Sequence, residues 1–116
     1  MTPTQKKGSN EPYYDLNDDW ALIVASFQSE YGIRLSRDLD GMTWQEFSAF
    51  INGLSGDSPL GRVVSIRAEN RSEVLKEFTP EQHKIRNSYR RKQAKHKTQK
   101  EVDNAIEQFR KAFMSW

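Results

Sequence analysis

After Pro80 no glycine or proline interrupts the chain for thirty-six residues. These are the two residue types that most strongly break a helix, so their absence commits the last third of the protein to helix. Thr79-Pro80-Glu81-Gln82 supplies the start: a hydroxyl cap, proline at the first helical position, and Gln82 to close a capping box. Ile85 and Tyr89 are the strong apolar anchors that follow. Arg90-Arg91-Lys92-Gln93-Ala94-Lys95-His96-Lys97 then offers no face to bury. Thr98-Gln99-Lys100-Glu101 has the spacing of a further capping box, and Val102, Ile106, Phe109 and Phe113 follow at spacings of 4, 3 and 4. One long helix and two helices joined near residue 97 both fit this pattern.

Upstream, the helix signals are shorter and better punctuated. Asn17 is a good N-cap, with Asp18 and Asp19 near the positive end of the dipole. Trp20, Ile23, Val24, Phe27 and Tyr31 recur at helical spacing, and Gly32 stands where a glycine ends a helix. Thr43-Trp44-Gln45-Glu46 reads as a capping box opening a second helix, with Trp44, Phe47, Phe50 or Ile51, and Leu54 expected on its buried face and Gly53 and Gly56 bracketing its end. Ser58-Pro59 starts a third, with Leu60, Val63, Val64 and Ile66 on the apolar side and Arg62 and Arg67 left to solvent. A short helical segment lies around Val74, Leu75 and Phe78. Residues 1–14, rich in Thr, Lys, Gly, Ser, Asn and Pro, read as a flexible arm. The expected fold is all-α: a small bundle of about four to five helices. Residues 1–14 form the arm, 15–90 the helical core domain, and 91–116 a basic connector and C-terminal amphipathic helix.

Composition narrows the chemistry. The 116 residues suit one domain, and 35% hydrophobic against 29% charged residues predicts a thin core with part of the chain outside it. With no cysteine, disulfides, thiolate nucleophiles and zinc-thiolate sites are excluded. No apolar run reaches the ~18–20 residues of a membrane span, and no signal-peptide core is present. The net charge of +2 conceals a bipolar chain: residues 11–57 carry nine acids against Arg34 and Arg37, whereas residues 58–116 carry fourteen Lys or Arg against seven acids. From His83 to Lys100 there are eight cations and no acid. Arg86, Arg90, Arg91, Lys92 and Lys95 form a candidate basic surface.

Catalytic signatures are missing. His83 and His96 sit among cations that disfavour a metal, and Asp18-Asp19 is better read as helix-dipole stabilisation than as an acid–base pair. Asp38-Leu39-Asp40-Gly41 lacks the remaining oxygen ligands of a calcium loop. No phosphate loop, serine elbow or dinucleotide fingerprint occurs. The expectation is no enzyme, no cofactor and no metal. The basic run can be a solvated connector, a protein-docking surface or a phosphate-backbone contact, but Tyr89 is the one stacking platform within it and no helix-turn-helix supports groove reading.

The candidate partner-binding stripe is Val102, Ile106, Phe109 and Phe113, with Trp116 at the end. Three fates are open to it: self-association, capture of an amphipathic helix, or folding back onto the core.

Between Asp15 and about Ala94 the chain resembles a family of small bacteriophage tail-morphogenesis proteins of long-tailed phages and prophages. The residues carrying the resemblance are Tyr31-Gly32-Ile33-Arg34-Leu35, Met42-Thr43-Trp44-Gln45-Glu46-Phe47, Gly53-Leu54, and Asp57-Ser58-Pro59-Leu60-Gly61-Arg62-Val63-Val64-Ser65-Ile66-Arg67. Phe78-Thr79-Pro80-Glu81-Gln82 and Lys84-Ile85-Arg86 add to it. The resemblance implies a non-enzymatic tail assembly chaperone or adaptor, working in the cytoplasm of the bacterial host on the tape-measure or tail protein. It carries no catalytic residues. The rival reading is a small nucleic-acid-binding protein using its basic helix.

Overall fold

The computed structural model describes residues 11–114, and among these the regular structure is entirely helical. Helix α1 spans Trp20–Tyr31, α2 Leu35–Asp38, α3 Trp44–Asn52, α4 Pro59–Ala68, α5 Ser72–Leu75 and α6 Pro80–Met114; a 3-10 turn, Leu39–Gly41, follows α2. The all-α expectation holds. The short α2 and its 3-10 turn carry no sequence signal comparable to the others. Residues 1–10 of the expected arm lie outside the described residues.

Most helix ends follow their local chemistry. Gly32 adopts φ +69°, and its N–H bonds to the Gln28 carbonyl, the bond of an αL cap, while the Ile33 N–H bonds to the Phe27 carbonyl. The Thr43–Glu46 and Thr79–Gln82 capping boxes both form. The start of α1 differs from expectation. Asp19, not Asn17, is the N-cap residue and makes no side-chain cap, while Asp15 Oδ1 accepts from the N–H groups of Asn17 at 2.9 Å and Asp18 at 2.8 Å in the turn that leads into the helix. Asp19 turns inward instead of facing the dipole and is 6% exposed.

Ile23, Phe27, Leu35, Phe47, Ile51 and Leu60 form the buried core, with Tyr31, Met42, Phe50, Leu54 and Val64 packed around it. Phe27 is its centre: its ring lies 5.3 Å from Phe47, 5.8 Å from Phe50 and 5.9 Å from Tyr31. The expectation that Trp44 is core is overturned, since it is 66% exposed. As the first residue of α3 it leans back beyond the helix end, covering only the outer face of Phe47 at 5.6 Å. Trp20 is only 36% exposed, its ring stacked on Phe47 at 6.1 Å at the edge of the core.

One buried hydroxyl joins two helices. Ser26 is fully buried; its Oγ donates to the Leu22 carbonyl at 2.7 Å and accepts the Leu60 N–H at 2.9 Å. Together with Ser58 Oγ, which accepts the Gly61 N–H, it satisfies amides at the start of α4 that have no intrahelical partner. Ser26→Ala is expected to cost about 1–3 kcal/mol, because the Leu60 amide stays buried without an acceptor. Chemical denaturation measures this, and a change below about 0.5 kcal/mol would show that water replaces the hydroxyl.

Candidate functional site

Helix α6 is continuous through all 35 of its residues, which makes it about 52 Å long. The expected cap at Thr98 does not form: its hydroxyl donates to the Ala94 carbonyl at 3.0 Å, as in a helix interior. The one-helix alternative is therefore the correct one. Its two halves behave differently. Up to Gln93 the helix is docked on the body, with Tyr89 buried and Ile85, Arg86, Arg90 and Gln93 half-buried. From Ala94 to Met114 every residue is exposed, so about 30 Å of helix stands clear of the body. The radius of gyration of 18.2 Å reflects this arm, against about 13 Å for a compact chain of this size. The helix does not fold back.

The docked half is held by a polar hub. Arg67 makes a two-pronged ion pair with Asp19 at 2.8 and 3.0 Å, donates to the Tyr13 carbonyl at 3.0 Å, and lies 4.6 Å from the centre of the Tyr89 ring. Tyr89 donates its hydroxyl to the Glu11 carboxylate. Tyr13, at φ +63°, sits in the left-handed region that costs an ordinary residue about 1–2 kcal/mol; its carbonyl bond to Arg67 and the Arg90 guanidinium near its ring hold it there. Burial pushes the Asp19 carboxyl up, but bonds from Arg67 and the Asp15 amide, with the positive charge of Arg67 and Lys92, outweigh it and hold the carboxyl below its usual range. Burial, then the bond to Glu11, pushes the Tyr89 hydroxyl well up.

This hub was not legible as a site, yet Arg67 carries a signal. It follows Leu60 at i+7 and Val64 at i+3, so it stands on the core-facing stripe of α4 and not in solvent.

The candidate basic surface divides along the same line. Arg86 donates to the Glu69 carbonyl at 2.7 Å and to Asn70 Oδ1 at 3.0 Å, and Arg90 donates to the Arg67 carbonyl at 2.9 Å. Both arginines thus serve carbonyls at the C-terminal end of α4, where the dipole favours cations. Lys92 pairs with Asp18. Arg91 and Lys95 project into solvent, and Lys92 is exposed as well, its ion pair lying on the surface. The reading of residues 90–97 as having no buried face fails at Arg90 and Gln93, because α4 lies alongside.

The candidate partner-binding stripe is brought together on the free half. Val102 is 47% exposed, Ile106 53%, Phe109 72% and Phe113 71%, and the rings of Phe109 and Phe113 lie 6.2 Å apart on one face. Trp116 lies outside the described residues. On the body, a cleft of about 560 Å³ opens beside Tyr14, Leu16, Trp44 and Phe47, but Asp15, its acidic group, is already engaged by the Asn17 and Asp18 amides of the turn before α1. His83 packs against the Phe78 ring at 5.4 Å and His96 stands on the exposed arm. Among the described residues no cluster of three His, Asp or Glu side chains is placed to hold a metal, and no helix is long and apolar enough to cross a membrane.

The order of capping boxes, the Ser58-Pro59 start and the docked basic helix lie within residues 1–97, and over that range the chain matches the family model described as Bacteriophage Gp15 protein. The chain belongs to the Bacteriophage Gp15 protein family. No curated protein and no solved structure matches it. In this Gp15-family protein the matched range takes in the body, the hub and the docked half of α6, and stops five residues before Val102. The bacteriophage side of the expected resemblance is thereby established.

Proposed function

We propose that this Gp15-family protein is a non-enzymatic helper of phage tail assembly, acting in the bacterial cytoplasm as a chaperone or adaptor for the tape-measure or tail protein. The observation that carries the reading is the apolar stripe on a helix that leaves the body. Four large apolar side chains on one face, each about half or more exposed, are what soluble monomers avoid and what an amphipathic client helix covers. Phenylalanines at 109 and 113 supply the anchors on which such an interface rests. The nucleic-acid alternative has less to work with, since Arg86 and Arg90 are engaged by backbone carbonyls of the body and Lys92 is paired with Asp18 at the surface.

The test is co-purification of the full chain with overlapping helical segments of the tape-measure protein encoded by the same phage. Phe109→Glu with Ile106→Asp is expected to weaken capture by tenfold or more, an effect of about 1.4 kcal/mol or greater. Deleting residues 98–116 should abolish capture while leaving the melting transition of the body in place, because every described residue of that segment is exposed. A truncated protein that still held its client would sink the proposal.

A further inference from the structure

The edges of the stripe carry a pattern that the client reading does not use. Val102, Ile106, Phe109 and Phe113 occupy the d, a, d and a positions of a heptad seam. Asp103 and Arg110 then flank the seam on one edge, and Ala105 and Ala112 on the other. If two such helices run parallel, opposite edges meet and the charged edge faces alanines. If they run antiparallel, like edges meet. With the centre between residues 107 and 108, Val102 of one copy faces Phe113 of the other, and Ile106 faces Phe109. Each Asp103 then lies across from an Arg110, and each Ala105 across from an Ala112, whose small side chains allow the backbones to approach. Both the charge match and the steric match hold for one orientation only.

We infer that a second copy of this chain covers the seam in an antiparallel, two-fold symmetric pair. The geometry of the arm permits it. The Met114 of the second copy comes to lie beside Glu101, about 12 Å beyond Gln93 where the helix leaves the body, so the two bodies sit at opposite ends and do not collide. The charged edge is only weakly engaged beforehand. Asp103 accepts from Gln99 at 3.0 Å and Arg110 pairs with Glu107 at 3.5 Å, both on the exposed arm, where such contacts are worth little. The size of the seam sets its strength. Phenylalanines bury about 150–250 Å² each when fully covered, and at 72% and 71% exposure the four in the pair supply roughly 430–720 Å² before Val102 and Ile106 are added, at the low end for specific interfaces. The pair is therefore one that forms and separates with concentration, and it shares its face with the client of the preceding section.

Sedimentation or light scattering on the purified full chain, without client, tests this from about 1 μM to a few hundred micromolar. A concentration-dependent monomer–dimer equilibrium is expected. Asp103→Arg alone and Arg110→Asp alone should each weaken it roughly three- to tenfold, and the two together should restore it, more clearly at low salt. Because the chain has no cysteine, Ala105→Cys and Ala112→Cys report orientation directly. Mixing the two variants should give a mixed disulfide, whereas neither should cross-link efficiently by itself. A monomer at every concentration, a charge swap without recovery, or efficient self-cross-linking by either single variant overturns the inference. A chain that stays monomeric yet captures its tape-measure segment overturns this inference alone and leaves the proposed function standing.

Discussion

Phe27→Ala will cost about 3–5 kcal/mol, most of the stability of a body this small, and will abolish or sharply depress its cooperative melting. Phe27 has no exposed surface, and three aromatic rings, those of Tyr31, Phe47 and Phe50, pack within 6 Å of its own. Removing its ring leaves a cavity on all sides, which the short α2 and α3 cannot close without losing their own contacts. Trp44→Ala provides the contrast. Although tryptophan is the larger residue, its 66% exposure at the end of α3 predicts a loss below about 1 kcal/mol. Denaturant unfolding of the two variants side by side decides the matter. Similar losses for both would mean that the core is not centred where the structure places it.

The second large effect is expected at the hub. Arg67→Met strands the Asp19 carboxylate, 6% exposed, without its guanidinium, and breaking such a pair from one side typically costs about 3–5 kcal/mol. The combination Asp19→Leu with Arg67→Met should recover much of that loss, because two apolar groups need no pairing. Acid provides an independent check. The Asp19 carboxyl titrates lower in the folded protein than in the unfolded chain, so its contribution is complete above the unfolded value of about 3.9 and disappears as pH falls through the folded one. The stability gap between the native chain and Asp19→Asn should therefore be constant from neutral pH to about pH 5 and narrow below that. A gap that persisted unchanged to pH 2 would remove Asp19 from this role. The exposed Lys92–Asp18 pair should contribute little at any pH.

The hub also explains why the body was easier to read than its attachment to α6. Capping boxes at Thr43 and Thr79, the proline start after Ser58 and the glycine stop at Gly32 are local devices whose partners lie within four residues. Asp19, Arg67 and Tyr89 are separated by 48 and 22 positions, and their pairing exists only once α4 lies against the start of α1 and the first half of α6. The same holds for Arg86 and Arg90, which look like members of a solvated charge run until the carbonyl end of α4 arrives beside them. Gly61 is another case. In sequence it is a weak spot in a helix, but a Cβ there would lie 2.2 Å from the Ser55 carbonyl oxygen, so the close approach of the preceding loop requires it.

Sequence alone determined the all-α class, the principal helix starts, the central apolar positions of α1, and the heptad spacing of the arm, because periodicity and capping act over one or two turns. It also determined the edge residues of the seam, since these follow from the same spacing. Only the tertiary structure decided that α6 is unbroken, that Trp44 lies outside while Asp19 and Arg67 lie inside, and that the arm leaves the body after Gln93. Those outcomes depend on which surfaces meet, and the contacts that settle them join residues distant in sequence: burial is conferred by neighbours, and the described arm from Ala94 to Met114 is exposed throughout.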